Sequence, residues 1–129
     1  MAKFDGKKIL VVEDDTLLTE MLVKKLKGEN ALVDHAADGE DAISMIKTNK
    51  YDLILTDLLL PKVSGFEVME AINLDENAKG TPVIILSNLG QKEDIERGTK
   101  LGVRMFLIKA ILSLDEILEA VEKVLKQAK

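Results

Sequence analysis

The stretch Tyr51-Asp52-Leu53-Ile54-Leu55-Thr56-Asp57-Leu58-Leu59-Leu60-Pro61 decides the fold. Its apolar run, Leu53 to Leu55, is short and unbroken, as in a strand buried on both faces of a parallel sheet. Asp57 stands where that strand runs out, and Pro61 ends regular structure soon after. In open parallel sheets the ligand crevice lies outside the carboxyl ends of the strands. An aspartate there is either a turn former or a chemical group, and the other strand ends decide which.

Working outward, apolar runs alternate evenly with amphipathic segments. Upstream, Ile9-Leu10-Val11-Val12 reads as a first buried strand, closed by Glu13-Asp14-Asp15. Residues 16–27 carry Leu17, Leu18, Met21, Leu22 and Leu26 at helical spacing, with Asp15 as N-cap and Gly28 as the stop. Residues 32–36 form a shorter second strand, whose Asp34 and His35 place it near the sheet edge. His35 is read there as lacking a partner. Asp38-Gly39 makes a turn, and Ala42, Ile43, Met45 and Ile46 mark a second helix that ends near Asn49.

Downstream, residues 62–65 read as a loop, 66–73 as a third helix with Val68, Met69 and Ile72 inward, and 75–82 as a polar loop. Val83-Ile84-Ile85-Leu86 is a fourth buried strand, stopping at Ser87-Asn88. Residues 91–100 form a fourth helix with little besides Ile95 and Leu101 to bury, so it is loosely held. Met105-Phe106-Leu107-Ile108 is the fifth strand and ends at Lys109. Ser113-Leu114-Asp115-Glu116 is a capping box. It opens a last helix with Leu114, Ile117, Leu118, Val121, Val124 and Leu125 along one face. Met21, Met45, Met69 and Met105 are read as core filler.

Five strand–helix repeats in 129 residues imply one α/β domain spanning residues 1–129, with its core at about residues 8–125. The expected architecture is a doubly wound, five-stranded parallel sheet in the order 2-1-3-4-5 with five flanking helices. A net charge of −5 argues against direct nucleic-acid binding by this chain. Without cysteine there is neither disulfide nor thiolate chemistry. No apolar run approaches the roughly 20 residues of a membrane span, and the one near the N-terminus is too short for a signal-peptide core. The chain is therefore read as cytoplasmic, with no membrane partner.

The strand ends carry the chemistry. Strand one ends in Glu13-Asp14, strand three in Asp57, strand four in Ser87 and strand five in Lys109, all on one edge of the sheet. Strands one and three meet at the topological switch point, so three carboxylates converge and repel unless cations intervene. Lys109 supplies one positive charge. A hard divalent cation with oxygen ligands supplies the rest, and Mg²⁺ fits best because it needs only one or two carboxylates and keeps its waters. With one histidine and no thiol, zinc is a poor fit. A carboxylate beside a metal, a hydroxyl and a lysine is suited to receiving a phosphoryl group, because it needs no general base. Metal, Lys109, the Ser87 hydroxyl and backbone N–H groups can share the three equatorial oxygens.

These residues, in this order, resemble the receiver domain of two-component response regulators: Glu13-Asp14 after Leu-Val-Val, Asp57 followed by Pro61 and Gly65, Ser87 after Ile-Ile-Leu, and Lys109 after Phe-Leu-Ile. The resemblance runs from Lys8 to about Leu125. It implies a flavodoxin-like fold, phosphorylation at Asp57, and Mg²⁺ held by Asp14, Asp57 and the backbone carbonyl of Leu59, with Glu13 acting through a metal-bound water. Lys109 would pair with the phosphoryl oxygens, Ser87 would move in to bond them, and Phe106 would rotate inward as a switch. The implied partners are a sensor histidine kinase or phosphotransfer protein and a downstream protein effector, with the strand-five, helix-four and helix-five face open to partners or a second copy. The implied protein is no enzyme beyond its own phosphorylation and dephosphorylation, and is either a stand-alone regulator or a receiver within a longer protein.

Two positions depart from the family pattern. Asn88 replaces a small residue after Ser87, where it either narrows access to Asp57 or hydrogen-bonds the phosphoryl group. Ala110 replaces the proline after Lys109, so a trans Lys109–Ala110 bond and an altered loop path are expected. Leu59 is large and apolar and is placed to shield an acyl phosphate. The competing reading is a phosphohydrolase of the haloacid-dehalogenase type, which needs an Asp-x-Asp pair after strand one. Here the acids are contiguous and the candidate nucleophile follows strand three.

Overall fold

The computed structural model describes residues 3–88 and 91–127. Along the chain lie β1 (Lys8–Val12), α1 (Thr16–Gly28), β2 (Leu32–Ala36), α2 (Gly39–Thr48), β3 (Leu53–Thr56), α3 (Gly65–Leu74), β4 (Val83–Ser87), α4 (Lys92–Lys100), β5 (Met105–Ile108) and α5 (Leu114–Gln127). The strands pair in parallel in the order β2-β1-β3-β4-β5. Expectation and structure agree on element type and strand order. Residues 128 and 129, assigned to the end of the last helix's segment, lie outside the described residues.

Alternation along the strands builds two layers of core. Ile9, Val11, Leu53, Leu55, Ile84 and Leu86 point to the face covered by α1 and α5. Leu10, Val12, Ile54 and Val83 point to the other face, against Ala42 and Ile46 of α2 and Val68, Met69 and Ile72 of α3. A strand buried on both faces has no polar side to offer, which is why these segments read as unbroken apolar runs. Each fully buried aliphatic side chain contributes about 1.5–3 kcal/mol.

Capping sets where the helices begin, and so where the strand-end loops must turn. Asp15 Oδ1 accepts the Leu18 N–H at 3.0 Å, as the N-cap reading requires. Asp38 does the same for Asp41 at 2.8 Å, so Gly39 is already helical. Ser113 and Glu116 form the expected reciprocal box. Residues 62–65 are not wholly loop: Ser64 caps α3 in a second capping box with Glu67, and Gly65 is its first helical residue. The Ser-x-x-Glu spacing carries that signal in the sequence.

Three further expectations need correction. Leu17 and Met21 share helical spacing with Leu22 and Leu26, yet they are 66% and 41% exposed. Helix α1 buries the stripe through Thr19, Leu22 and Leu26, which turns the adjacent stripe outward. Among the methionines read as filler, Met69 is buried, Met45 and Met105 are half-buried, and Met21 is on the surface. His35 is not without partners, because its Nε2 lies 2.7 Å from the Glu13 carbonyl oxygen and 3.5 Å from Thr19 Oγ1.

Candidate functional site

The β1 and β3 ladders run in register from Ile9 opposite Leu53 to Val12 opposite Thr56. The residues that follow, Glu13 and Asp57, therefore emerge side by side. The Asp57 N–H bonds the Val12 carbonyl at 3.0 Å, and the Glu13 N–H bonds that of Ala36 at 3.0 Å. On the far side, Ser87 pairs with Ile108, which brings Lys109 in beside them.

Lys109 joins the two buried acids. Its Nζ lies 2.7 Å from Glu13 Oε1 and 2.8 Å from Asp57 Oδ2. The other Asp57 oxygen accepts the N–H groups of Leu58 at 2.7 Å and Leu59 at 3.3 Å. Glu13 Oε2 accepts the Asp15 N–H at 3.0 Å. Burial pushes the Glu13 carboxyl above its ordinary value, and the bonds from Lys109 and Asp15 only partly offset it. Burial also works against the Lys109 ammonium, but its hydrogen bonds to Asp57 and Glu13 outweigh that and hold its pKa above the ordinary value. Lys109 is thus a fixed positive charge.

Carboxylate oxygens of Glu13, Asp14 and Asp57 all lie within 4.8 Å of one another, with Asp14 exposed and the other two buried. Three carboxylates against one ammonium leave negative charge uncompensated. An all-oxygen set of this kind, open on the Asp14 side, fits a hard divalent cation that keeps several waters. Mg²⁺ is the ion the donors suit.

The remaining expected residues are placed as follows. Ser87 is buried at the end of β4. Phe106 is half-buried and packs with Leu58, Phe66 and Ile85. Leu59 lies in the loop after Asp57 with its side chain 63% exposed. Asn88, Ala110 and Lys109 line a cleft of ≈ 370 Å³ together with Leu17, Leu18 and Met21. The described residues contain no cis peptide, so Lys109–Ala110 is trans as expected, and Lys109–Ile111 form a single 3₁₀ turn.

Two features of the site involve residues named from the sequence whose roles there were not read. The apolar rim of Leu17 and Met21 depends on how α1 is rotated. Gly65, by contrast, sits so close to the loop carrying Asp57 that a Cβ would overlap the Asp57 carbonyl and come within 2.9 Å of Leu58 Cα. Its N–H bonds the Leu58 carbonyl at 2.9 Å. Gly65 lets the start of α3 close against the loop that carries Asp57.

The family model described as the response regulator receiver domain matches residues 9–122. The chain belongs to that family. It is 31% identical to the receiver domain of the Francisella response regulator 1452, with a TM-score of 0.85, covering 96% of this chain and 100% of that one. It is 26% identical to the receiver domain of sensor histidine kinase PA1611 from Pseudomonas aeruginosa PAO1, with a TM-score of 0.84 and coverage of 94% and 98%. That structure is described as having a magnesium ion coordinated in its active-site cleft. Among curated proteins, the probable transcriptional regulatory protein SilR of Salmonella typhimurium is 35% identical over 120 residues, 93% of this chain and 51% of SilR. The receiver spans about half the length, or less, of the curated relatives it matches. It is a signalling domain of two-component systems, and no helix among its described residues is long and apolar enough to cross a membrane.

Proposed function

We propose that this chain works as a single receiver unit in which Asp57 accepts a phosphoryl group, with Mg²⁺ bound, from a phosphohistidine on a sensor kinase or phosphotransfer protein. The observation that carries this reading is the Lys109 ammonium held between Asp57 and Glu13, with Asp14 alongside. An Asp57 oxygen attacks phosphorus, the P–N bond to the donor imidazole breaks, and the carboxylate becomes an acyl phosphate. Lys109 has no freely ionising alternative at neutral pH, so its positive charge is available to the phosphoryl oxygens throughout. The Ser87 hydroxyl is the group assigned to reach a third oxygen.

Asp14, Asp57 and the Leu59 carbonyl would hold the Mg²⁺, with Glu13 acting through one of its waters. Bound there, the ion neutralises carboxylate charge and the charge spread over the transferring phosphoryl group.

The apolar rim supports a protein donor. Leu17 and Met21 are exposed beside Asn88 and Ala110, at the cleft that opens next to Lys109. A donor helix seated there would bring its histidine to Asp57. Phe106, packed between Ile85 and α4, is the candidate carrier of the response toward an effector or a second copy at the α4–β5–α5 face. Membership of the family supports a cytoplasmic setting, since the phosphoryl groups in such systems originate in ATP. SilR is named as a transcriptional regulatory protein, and by analogy output of that kind would come from a separate module.

The test is to incubate wild type and Asp57→Asn with Mg²⁺ and acetyl phosphate and follow intact mass and phosphate release. The expected result is one added phosphoryl group on wild type, which then decays, and none on the variant. Equal labelling of Asp57→Asn would sink the site assignment. Catalytic phosphate release from a generic aryl phosphate would instead point to a hydrolase.

A further inference from the structure

The opposite edge of the sheet, where the strands begin, has the reverse electrostatic character. A cleft of ≈ 290 Å³ is lined there by Lys7, Lys50, Lys79 and Arg104, with Asp52 its one carboxylate. A second cleft of ≈ 350 Å³ adjoins it through Lys50 and adds Lys47. A third, of ≈ 260 Å³, adjoins through Lys7 and adds Lys3, Lys126 and Glu122. Seven cations and two carboxylates thus line a trough of three neighbouring clefts, each outer one sharing Lys50 or Lys7 with the central one, on a chain whose net charge is −5. Self-repulsion disfavours such a concentration, and a concave low-dielectric surface focuses its field outward.

The cations divide into two kinds. Lys50 Nζ donates to the Asn77 carbonyl at 2.6 Å, while Lys79 pairs with Glu76 at 2.8 Å and Lys126 with Glu122 at 3.6 Å, so these three are already engaged. Lys7 and Arg104 make no side-chain hydrogen bond or ion pair among the described residues, although their backbones are anchored to Phe4 and Val83. Asp52 is already engaged by the Lys8 N–H at 2.8 Å. The centre of the trough therefore holds two uncommitted cations on fixed backbone beside a single carboxylate, Asp52, which keeps its negative charge with one oxygen turned to the Lys8 N–H.

We propose that this trough is a second ligand site, which takes a small condensed-phosphate anion. Closely spaced phosphate groups match ammonium and guanidinium donors arrayed along a groove, and arginine can bind phosphate oxygens bidentately. Single-stranded nucleic acid fits poorly, because it relies on aromatic faces for stacking. The only aromatic ring in the trough belongs to Tyr51, which is 4% exposed, with its hydroxyl bound to Asp34 at 2.7 Å. The site joins the starts of β3, β4 and β5, and it shares no residue with the Asp57 cluster.

Tripolyphosphate, titrated without Mg²⁺ into ¹⁵N-labelled protein, tests the idea. Saturable amide shifts are expected at Lys50–Asp52, Lys79–Thr81 and Arg104, with Asp57 and Ser87 unmoved. Lys7→Ala with Arg104→Ala should weaken binding by about tenfold, with the unfolding temperature unchanged because neither side chain has a partner to lose. Lys24→Ala with Lys92→Ala, an equal charge change on exposed helix positions, should leave affinity as it was. An ATP arm separates the sources: equal affinity assigns recognition to the phosphate chain alone, and tighter ATP binding assigns it to a nucleotide. Non-saturating shifts, equal weakening in both double variants, or an oligothymidylate that outcompetes tripolyphosphate would each overturn the proposal.

Discussion

Strands β3 and β5 both end in a site residue, yet the structure holds them very differently. Every residue of β3 is buried, and so is every residue of its neighbour β4. Every residue of β5 is only half-buried. The helices follow suit. Helix α3, behind Asp57, buries Gly65, Phe66, Val68, Met69 and Ile72, whereas α4 buries only Gly98. Asp57 thus stands on the deeply buried half of the sheet, and Lys109 and the candidate switch Phe106 on the lightly held half. A new charge at Asp57 acts on both, but the cheaper displacement lies toward α4 and β5. On the proposed function, this division of stability would let a fixed acceptor drive a moving reporter.

The sharpest way to break that contrast is to truncate one apolar side chain on each side. Leu55→Ala should cost about 2–5 kcal/mol, as for other fully buried leucines. Ile95→Ala in α4, where the side chain is 39% exposed, should cost less than about 1 kcal/mol. Urea unfolding measures both, and comparable losses would show that α4 is as firmly held as β3. Next comes Gly65→Ala. With no room for a Cβ against the Asp57 carbonyl, the loop must shift, at a cost of about 1–3 kcal/mol. Acetyl phosphate labelling should slow along with it. A stable variant with normal labelling would mean the approach of α3 to the loop is incidental.

The same contrast explains what the sequence made legible. Apolar runs flanked by caps identify the strands and helices, and right-handed crossover logic puts Glu13, Asp57, Ser87 and Lys109 at one edge. Burial differences are another matter. Val83-Ile84-Ile85-Leu86 and Met105-Phe106-Leu107-Ile108 look alike as text, and only position separates them: β4 lies inside the sheet, while β5 lies at its border under a helix with little apolar surface. Likewise Leu17 and Leu22 are equivalent on a helical wheel until packing picks the buried stripe. The bond from His35 to the Glu13 carbonyl depends on the β1–β2 register, in which Val11 faces His35. Ser64 is the exception, since its capping box could have been read directly.

Charge at the rigid edge gives a smaller, condition-dependent effect. Ten Kd equivalents of Mg²⁺ should stabilise wild type by about 1.4 kcal/mol, and Asp14→Asn should lose most of that gain in a thermal-shift titration. Without Mg²⁺, Glu13 has a pKa above its ordinary 4.5, chiefly through burial. A raised carboxyl favours folding while it is protonated, so its contribution is present below pH 4.5 and is lost as pH rises through the folded value. Wild type should therefore fall in stability relative to Glu13→Gln across that window, and a difference that stays flat would exclude Glu13 as the strained group.

The smallest change probes the lightly held half directly. A Cβ on Gly98 would meet Ile85 Cδ1 at 3.5 Å, Val103 Cγ2 at 3.6 Å and Phe106 Cδ2 at 3.7 Å, ordinary contact distances. Replacing a helix-interior glycine by alanine where the space exists should stabilise by about 0.5–1 kcal/mol. That gain belongs to α4 in its present seat, against the present position of the Phe106 ring. If phosphorylation must move both, Gly98→Ala should shift the inactive-to-active equilibrium by about two- to fivefold toward the inactive form. Labelling of Asp57 should stay as in wild type, because no group at the acidic edge is touched. The ring resonances of Phe106, followed with Mg²⁺ and beryllofluoride, report the population. A stabilised variant whose Phe106 responds as fully as wild type would place the moving element somewhere other than α4.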